Sequence, residues 1–171
     1  MYLKSIKMSY KYITGEFLEI PSTSRFINGV SLQDVYSDTS FVSGRNSSES
    51  MKLEPIIRDH NVFAKYIFEE KFHGPPGLVH GGILASVLDD VMGYTPVTQN
   101  IMAFTAKLEI NYIFPVPVGE EFELFAWAHK IDGKKVFAES IIKRENKVYV
   151  EGKGLFIDLG INPPEFLSSK S

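Results

Sequence analysis

The sequence predicts an α+β protein in which an antiparallel sheet of about six strands packs against one long helix. Three observations predict it. Apolar residues recur at helical spacing in one segment only, from about residue 80 to 95. Short segments with apolar and polar residues alternating stand on both sides of it, and Asp132-Gly133 and Glu145-Asn146 punctuate the second half as hairpin turns. No internal repeat and no second domain are visible.

The elements follow in order. Residues 1–40 mix aromatic and polar side chains without sustained periodicity and read as an N-terminal extension, and Thr39 to Ser50 is a loop rich in Ser, Gly and Asn. Met51 to Ile57 and Val62 to Phe68 read as strands joined by the polar Arg58-Asp59-His60-Asn61. After the Gly74-Pro75-Pro76-Gly77 loop comes the helix, with an apolar arc of Leu84, Val87, Leu88, Val91 and Met92. Leu108, Ile110 and Tyr112 alternate with Lys107, Glu109 and Asn111, and further strands are expected near 119–131, 134–144 and 147–158. The order is β-β-α-β-β-β-β. Residues 41–160 form the domain, and residues 161–171 form a C-terminal tail.

Composition excludes more than it identifies. With 171 residues, 44% hydrophobic and 23% charged, the chain suits one soluble domain with a substantial core. A formal charge of −3 with scattered Lys and Arg argues against nucleic acid and an anionic membrane surface as partners. There is no Cys, which removes disulfides, thiolate nucleophiles and Cys-based zinc sites. His60, His73, His80 and His129 include no pair at the spacing of a zinc helix motif, so no metal is expected. No apolar run approaches the roughly 18 residues of a membrane span, and the amino terminus lacks a signal-peptide core, so a cytoplasmic protein is expected.

The chemistry concentrates in Gly77-Leu78-Val79-His80-Gly81-Gly82-Ile83-Leu84-Ala85-Ser86-Val87-Leu88-Asp89-Asp90. The helix is expected to start at His80 or Gly81 without a strong side-chain cap, leaving backbone N–H groups free for an oxygen that gains negative charge. Asp89 falls on a face of small residues beside Ala85, Ser86 and Gly93, whereas Asp90 projects about 100° away, toward solvent or a salt bridge. On this pattern alone Gly81-Gly82 is equally a tight turn, and both acids are ordinary solvated helix residues.

This stretch resembles the signature of hotdog-fold acyl-CoA thioesterases of the PaaI-type and THEM-type branch, in which His-Gly-Gly opens the central helix and an acid follows nine residues after the His. Ser40-Phe41-Val42-Ser43-Gly44-Arg45-Asn46 is similar to that family's upstream Gly-x-Asn loop. Phe104 to Gly119 resembles the strand and Pro-x-Pro-x-Gly turn after the helix, and the resemblance spans roughly residues 40–158. It implies hydrolysis of an acyl-CoA thioester at a site shared across a homodimer, and it leaves open whether two dimers form a homotetramer. It implies that Asp89 is general base or nucleophile, that the Gly81 N–H polarises the carbonyl while Gly82 shapes the turn against substrate, and that Thr105 helps hold water or carbonyl. His80 would shape the loop. No cofactor is implied, coenzyme A being part of the substrate. Thr105 also reads simply as a β-branched residue opening a strand. Several hotdog thioesterases carry Asn or Gln six residues before the motif His, where this chain has Gly74. The alternatives are a non-catalytic acyl-CoA-binding hotdog protein and another hotdog enzyme such as an enoyl-thioester hydratase.

Overall fold

The computed structural model describes residues 29, 31–33, 35, 36 and 38–161. Most of the 1–40 extension and of the 161–171 tail lies outside the described residues. Strands β1 (Ile56–Arg58) and β2 (Asn61–Ile67) precede one helix, α1 (Gly81–Gly93). Four strands follow: β3 (Ala103–Tyr112), β4 (Glu121–Asp132), β5 (Lys135–Arg144) and β6 (Lys147–Asp158). They form a six-stranded antiparallel sheet in the order β1-β2-β4-β5-β6-β3, with α1 against one face. This is the hotdog arrangement expected from the sequence.

Local chemistry sets the turns. Asp59 and His60 both take positive φ, 50° and 63°, the geometry of a tight two-residue hairpin that matches strand twist. The first strand is shorter than its alternation suggested. Met51 and Leu53 give their N–H groups to Phe41 and Val42 carbonyls at 2.8 and 3.0 Å, and Pro55 has none to give, so the ladder begins at Ile56. The helix ends at Gly93, with Tyr94 as its C-cap and Pro96 disfavouring a further turn.

The buried residues of α1 are Leu84, Val87, Leu88, Val91 and Met92, the whole of the expected apolar arc. They enter one core with Phe122, Leu124, Ala126, Val136, Ile142, Val150 and Phe156 from the sheet, and Leu32 and Val35 join it from the segment before β1. Close approach of helix to sheet depends on Gly152, where a Cβ would stand 3.1 Å from the Met92 methyl. Phe125 points the other way. It packs with Phe63 and Ile141 in a second cluster on the outer face, with Trp127 against it.

Candidate active site

Two groups of residues sit at opposite ends of α1. At its start, His80 is the N-cap, and its Nδ1 accepts the Gly82 N–H at 2.9 Å. The helix therefore has the side-chain cap that the sequence did not suggest, because imidazole acts here in place of the usual hydroxyl or carboxylate. Ile83 and Leu84 both donate to the His80 carbonyl, at 3.0 and 3.2 Å. Gly82 is thus committed to His80, and only the Gly81 N–H has no acceptor among the described residues.

The surrounding loop is rigidly tied. His80 N donates to Phe72 O, Val79 N to Val116 O and Gly74 N to Leu78 O, all within 2.8–2.9 Å. A Cβ at Gly74 would lie 3.2 Å from the His80 Cα, so Gly74 lets the loop fold under the capping residue. From β3, the Tyr112 hydroxyl donates to Gly81 O at 2.8 Å and fixes the plane of that peptide. Sequence reasoning used Tyr112 only as a strand residue.

At the other end, Thr105 Oγ1 donates to Asp89 Oδ1 at 2.9 Å. A register shift in the β3–β6 ladder between Thr105 and Lys107 aims Thr105 at the helix, the usual consequence of a bulge beside a site. Asp89 lies in a cleft lined by Tyr36, Ser40, Asp90, Gly93, Tyr94, Phe104 and Thr105. Burial pushes its carboxyl up from the ordinary range, and the Thr105 hydrogen bond opposes that by stabilising the anion.

Asp90 corrects the expectation that it faces solvent or an ion pair. Ser43 Oγ donates to its Oδ1 at 3.2 Å and lies 2.7 Å from the Tyr94 hydroxyl, which reaches Gln33 O at 3.3 Å. Its Oδ2 is sealed from solvent and has no hydrogen-bond partner among the described residues. Burial raises its pKa to about 7, the Ser43 hydrogen bond opposes this, and the negative charge of Asp89 adds to it. The reason for the miss is tertiary. The 100° step that takes Asp90 away from Asp89 turns it under the Ser43 loop, which the sequence placed nowhere in space. Tyr94, four residues on and so on the same helical face, was the available signal.

Phe122, Phe125, Trp127 and Phe137 all lie away from this cleft. No group of three His, Asp or Glu suited to a metal ion occurs among the described residues.

Residues 76–151 match the family model described as Thioesterase superfamily. The chain is 33% identical over 102 residues to the acyl-coenzyme A thioesterase THEM4 of Mus musculus, covering 57% of this chain and 44% of that one. It therefore spans less than half the length of that relative. Among solved structures, a thioesterase superfamily protein superposes with TM-score 0.69 at 22% identity, covering 92% of this chain and 77% of that chain. The E. coli PaaI protein from the phenylacetic acid degradation operon superposes with TM-score 0.61 at 15% identity, covering 66% and 83%. The fold is that of a hotdog protein, and residues 76–151 are similar in sequence to the Thioesterase superfamily. The sequence likeness is to THEM4, and the likeness to PaaI is one of fold.

Proposed function

We propose that this protein hydrolyses an acyl-CoA thioester to the free acid and coenzyme A. The observation that carries the reading is the Thr105-to-Asp89 hydrogen bond inside the cleft. It holds one carboxylate oxygen in place and leaves the other for chemistry. As general base, Asp89 takes a proton from water while the water oxygen bonds to the carbonyl carbon. The C–S bond then breaks, and the departing sulfur receives that proton. As nucleophile, Asp89 bonds to the carbonyl carbon itself and the C–S bond breaks to release CoA as thiolate. Water then cleaves the resulting anhydride, restoring the Asp89 carboxylate and giving one proton to the thiolate and one to the free acid. Either route develops an oxyanion, for which the Gly81 N–H is the donor.

One protomer does not unite these groups. Eight residues of helix separate Gly81 from Asp89, about 12 Å at 1.5 Å per residue, too far for both to reach one carbonyl. We therefore infer a homodimer in which Asp89 and Thr105 of one subunit face the Gly81 peptide of the other. In support, β3 pairs only with β6 among the described residues, and the exposed Phe104, Tyr112, Ile113 and Phe114 lie on or just beyond it. An open edge flanked by apolar side chains is a natural pairing surface. Water is the only co-reactant required. The compartment we infer, the cytoplasm, is checked by localising a tagged chain.

The test is thiol release from a panel of short, medium, long and aryl acyl-CoAs; no release from any of them by the folded protein rejects the reading. The shared site is tested by mixing inactive Asp89→Asn and Gly81→Val proteins. Random pairing makes half the dimers mixed, and each mixed dimer holds one intact site of two, so activity recovers to about a quarter of wild type. No recovery in verified mixed dimers places both groups in one subunit.

A further inference from the structure

Beside the proposed catalytic carboxylate stands a second one that the reaction as described does not use. Asp90 and Asp89 line the same cleft from adjacent helix positions. Asp90 is nevertheless built into a separate network: Ser43 donates to one oxygen, Tyr94 backs Ser43, and the other oxygen is buried without a partner among the described residues. An orphaned buried carboxyl oxygen costs stability, and a well-packed apolar residue would remove that cost. Its place beside Asp89 therefore points to a use for the charge.

We propose that Asp90 is a positioning residue for Asp89, a second carboxyl whose ionisation drives negative charge off Asp89 in the transition state. The proposal rests on the reading of Asp89 given above and holds for either role there. As a base Asp89 becomes protonated, and as a nucleophile it becomes acylated; both steps remove its charge. An anionic Asp90 next to it is relieved by that loss, so its repulsion is weaker in the transition state than in the ground state. The groups set against Asp90 are consistent with this. Asp89 adjoins it on α1, Tyr94 follows the helix, Tyr36 faces it from the preceding segment, and the polar Ser43 does not titrate. None of the ion pairs among the described residues involves Asp90. The burial that holds its proton until about pH 7 makes the charge one that appears within the working range.

The experiment pairs kinetics with a direct titration. Profiles of kcat and KM against pH are measured for wild type and Asp90→Asn on an acyl-CoA from the panel. The carboxyl carbons of ¹³C-aspartate-labelled full chain are titrated by NMR in parallel. Wild-type kcat is expected to rise about three- to tenfold through neutrality with KM unmoved, the scale of a one-unit change in base strength. Asp90→Asn loses this step, and the NMR curve of Asp89 loses its second inflection. Ser43→Ala, which removes a donor to the carboxylate without touching substrate, moves the step to higher pH. A step that persists in Asp90→Asn, or stays in place in Ser43→Ala, overturns the proposal. If wild type hydrolyses no acyl-CoA, the reading of function fails, and the NMR arm still decides the pair. A two-step Asp89 curve that becomes single in Asp90→Asn supports the coupling, and an unchanged curve overturns it.

Discussion

Asp89 and Asp90 are adjacent, carry the same side chain and sit on the same turn of α1, yet the fold gives them different neighbours. On the β3 flank, Asp89 meets one hydroxyl, Thr105, at the wall of a cleft. On the loop flank, Asp90 meets Ser43, which Tyr94 backs, and its Oδ2 is sealed from solvent. The difference teaches that a helix assigns direction and its surroundings assign chemistry. Both carboxyls are pushed up by burial. The flank differs in what it offers the anion, and the more sealed side keeps its proton longer.

The largest effect expected from breaking this contrast is on stability. Burial pushes the Asp90 carboxyl up to about 7 from its ordinary value of 3.8, so between those values the native state binds more protons than the unfolded one. Stability from this group is therefore full in acid and falls as pH rises through that window. Asp90→Asn removes the slope. Its advantage over wild type is expected to grow by as much as about 4 kcal/mol between about pH 4 and about pH 8, three pKa units at 1.36 kcal/mol each. Urea midpoints at several pH values check this, and parallel slopes for the two proteins would remove the sealed-acid description.

Next in size is Asp89→Asn, expected to lower kcat on acyl-CoA by about a hundredfold or more with the fold intact, the scale of losing a positioned acid–base group. Circular dichroism and thiol release on one preparation measure both. A well-folded variant with wild-type turnover would move the chemistry elsewhere.

Much of this was legible in the sequence. The apolar arc of α1 and the β6 boundaries follow from periodicity, because one helix face and one sheet face have a single core to fill. Asp89 and Thr105 were legible as types at a spacing; the hydrogen bond that makes them a pair was not, since it depends on a bulge at residues 105–107 that alternation does not encode. His80 as a cap, Tyr112 on the Gly81 carbonyl and Ser43 on Asp90 were invisible. The last two join residues 31 and 47 apart whose partner is chosen by the fold, and the first is a local cap made by imidazole in place of the usual hydroxyl or carboxylate.

Thr105→Val sharpens the comparison at the open flank. It keeps the β-branched shape that suits the strand and deletes the donor to Asp89. The expected loss in kcat is about tenfold, from a carboxylate free to rotate. Because that hydrogen bond lowers the Asp89 pKa, its removal also moves the acid limb of the pH–rate profile to higher pH. A fall in kcat without movement of the limb would mean that Thr105 contacts water or substrate rather than tuning Asp89.

The smallest effect is expected where the two flanks meet. The Tyr36 hydroxyl donates to Gly93 O at 2.8 Å, with Ala103 O at 3.4 Å, so it ties the end of α1 to the start of β3 across the mouth of the cleft. Its ring packs on Tyr94 with centroids 5.5 Å apart, and the side chain is 37% exposed. Tyr36→Phe keeps the ring and removes the tie. Water can reach the freed carbonyls at such a site, so the cost is expected to be about 1 kcal/mol of stability. If the tie also holds the cleft at its working width, KM should rise severalfold while kcat stays near wild type, since both carboxyls keep their own partners. A large fall in kcat would instead show that the phenol reaches the reacting atoms, and that the wall between the two flanks takes part in the chemistry.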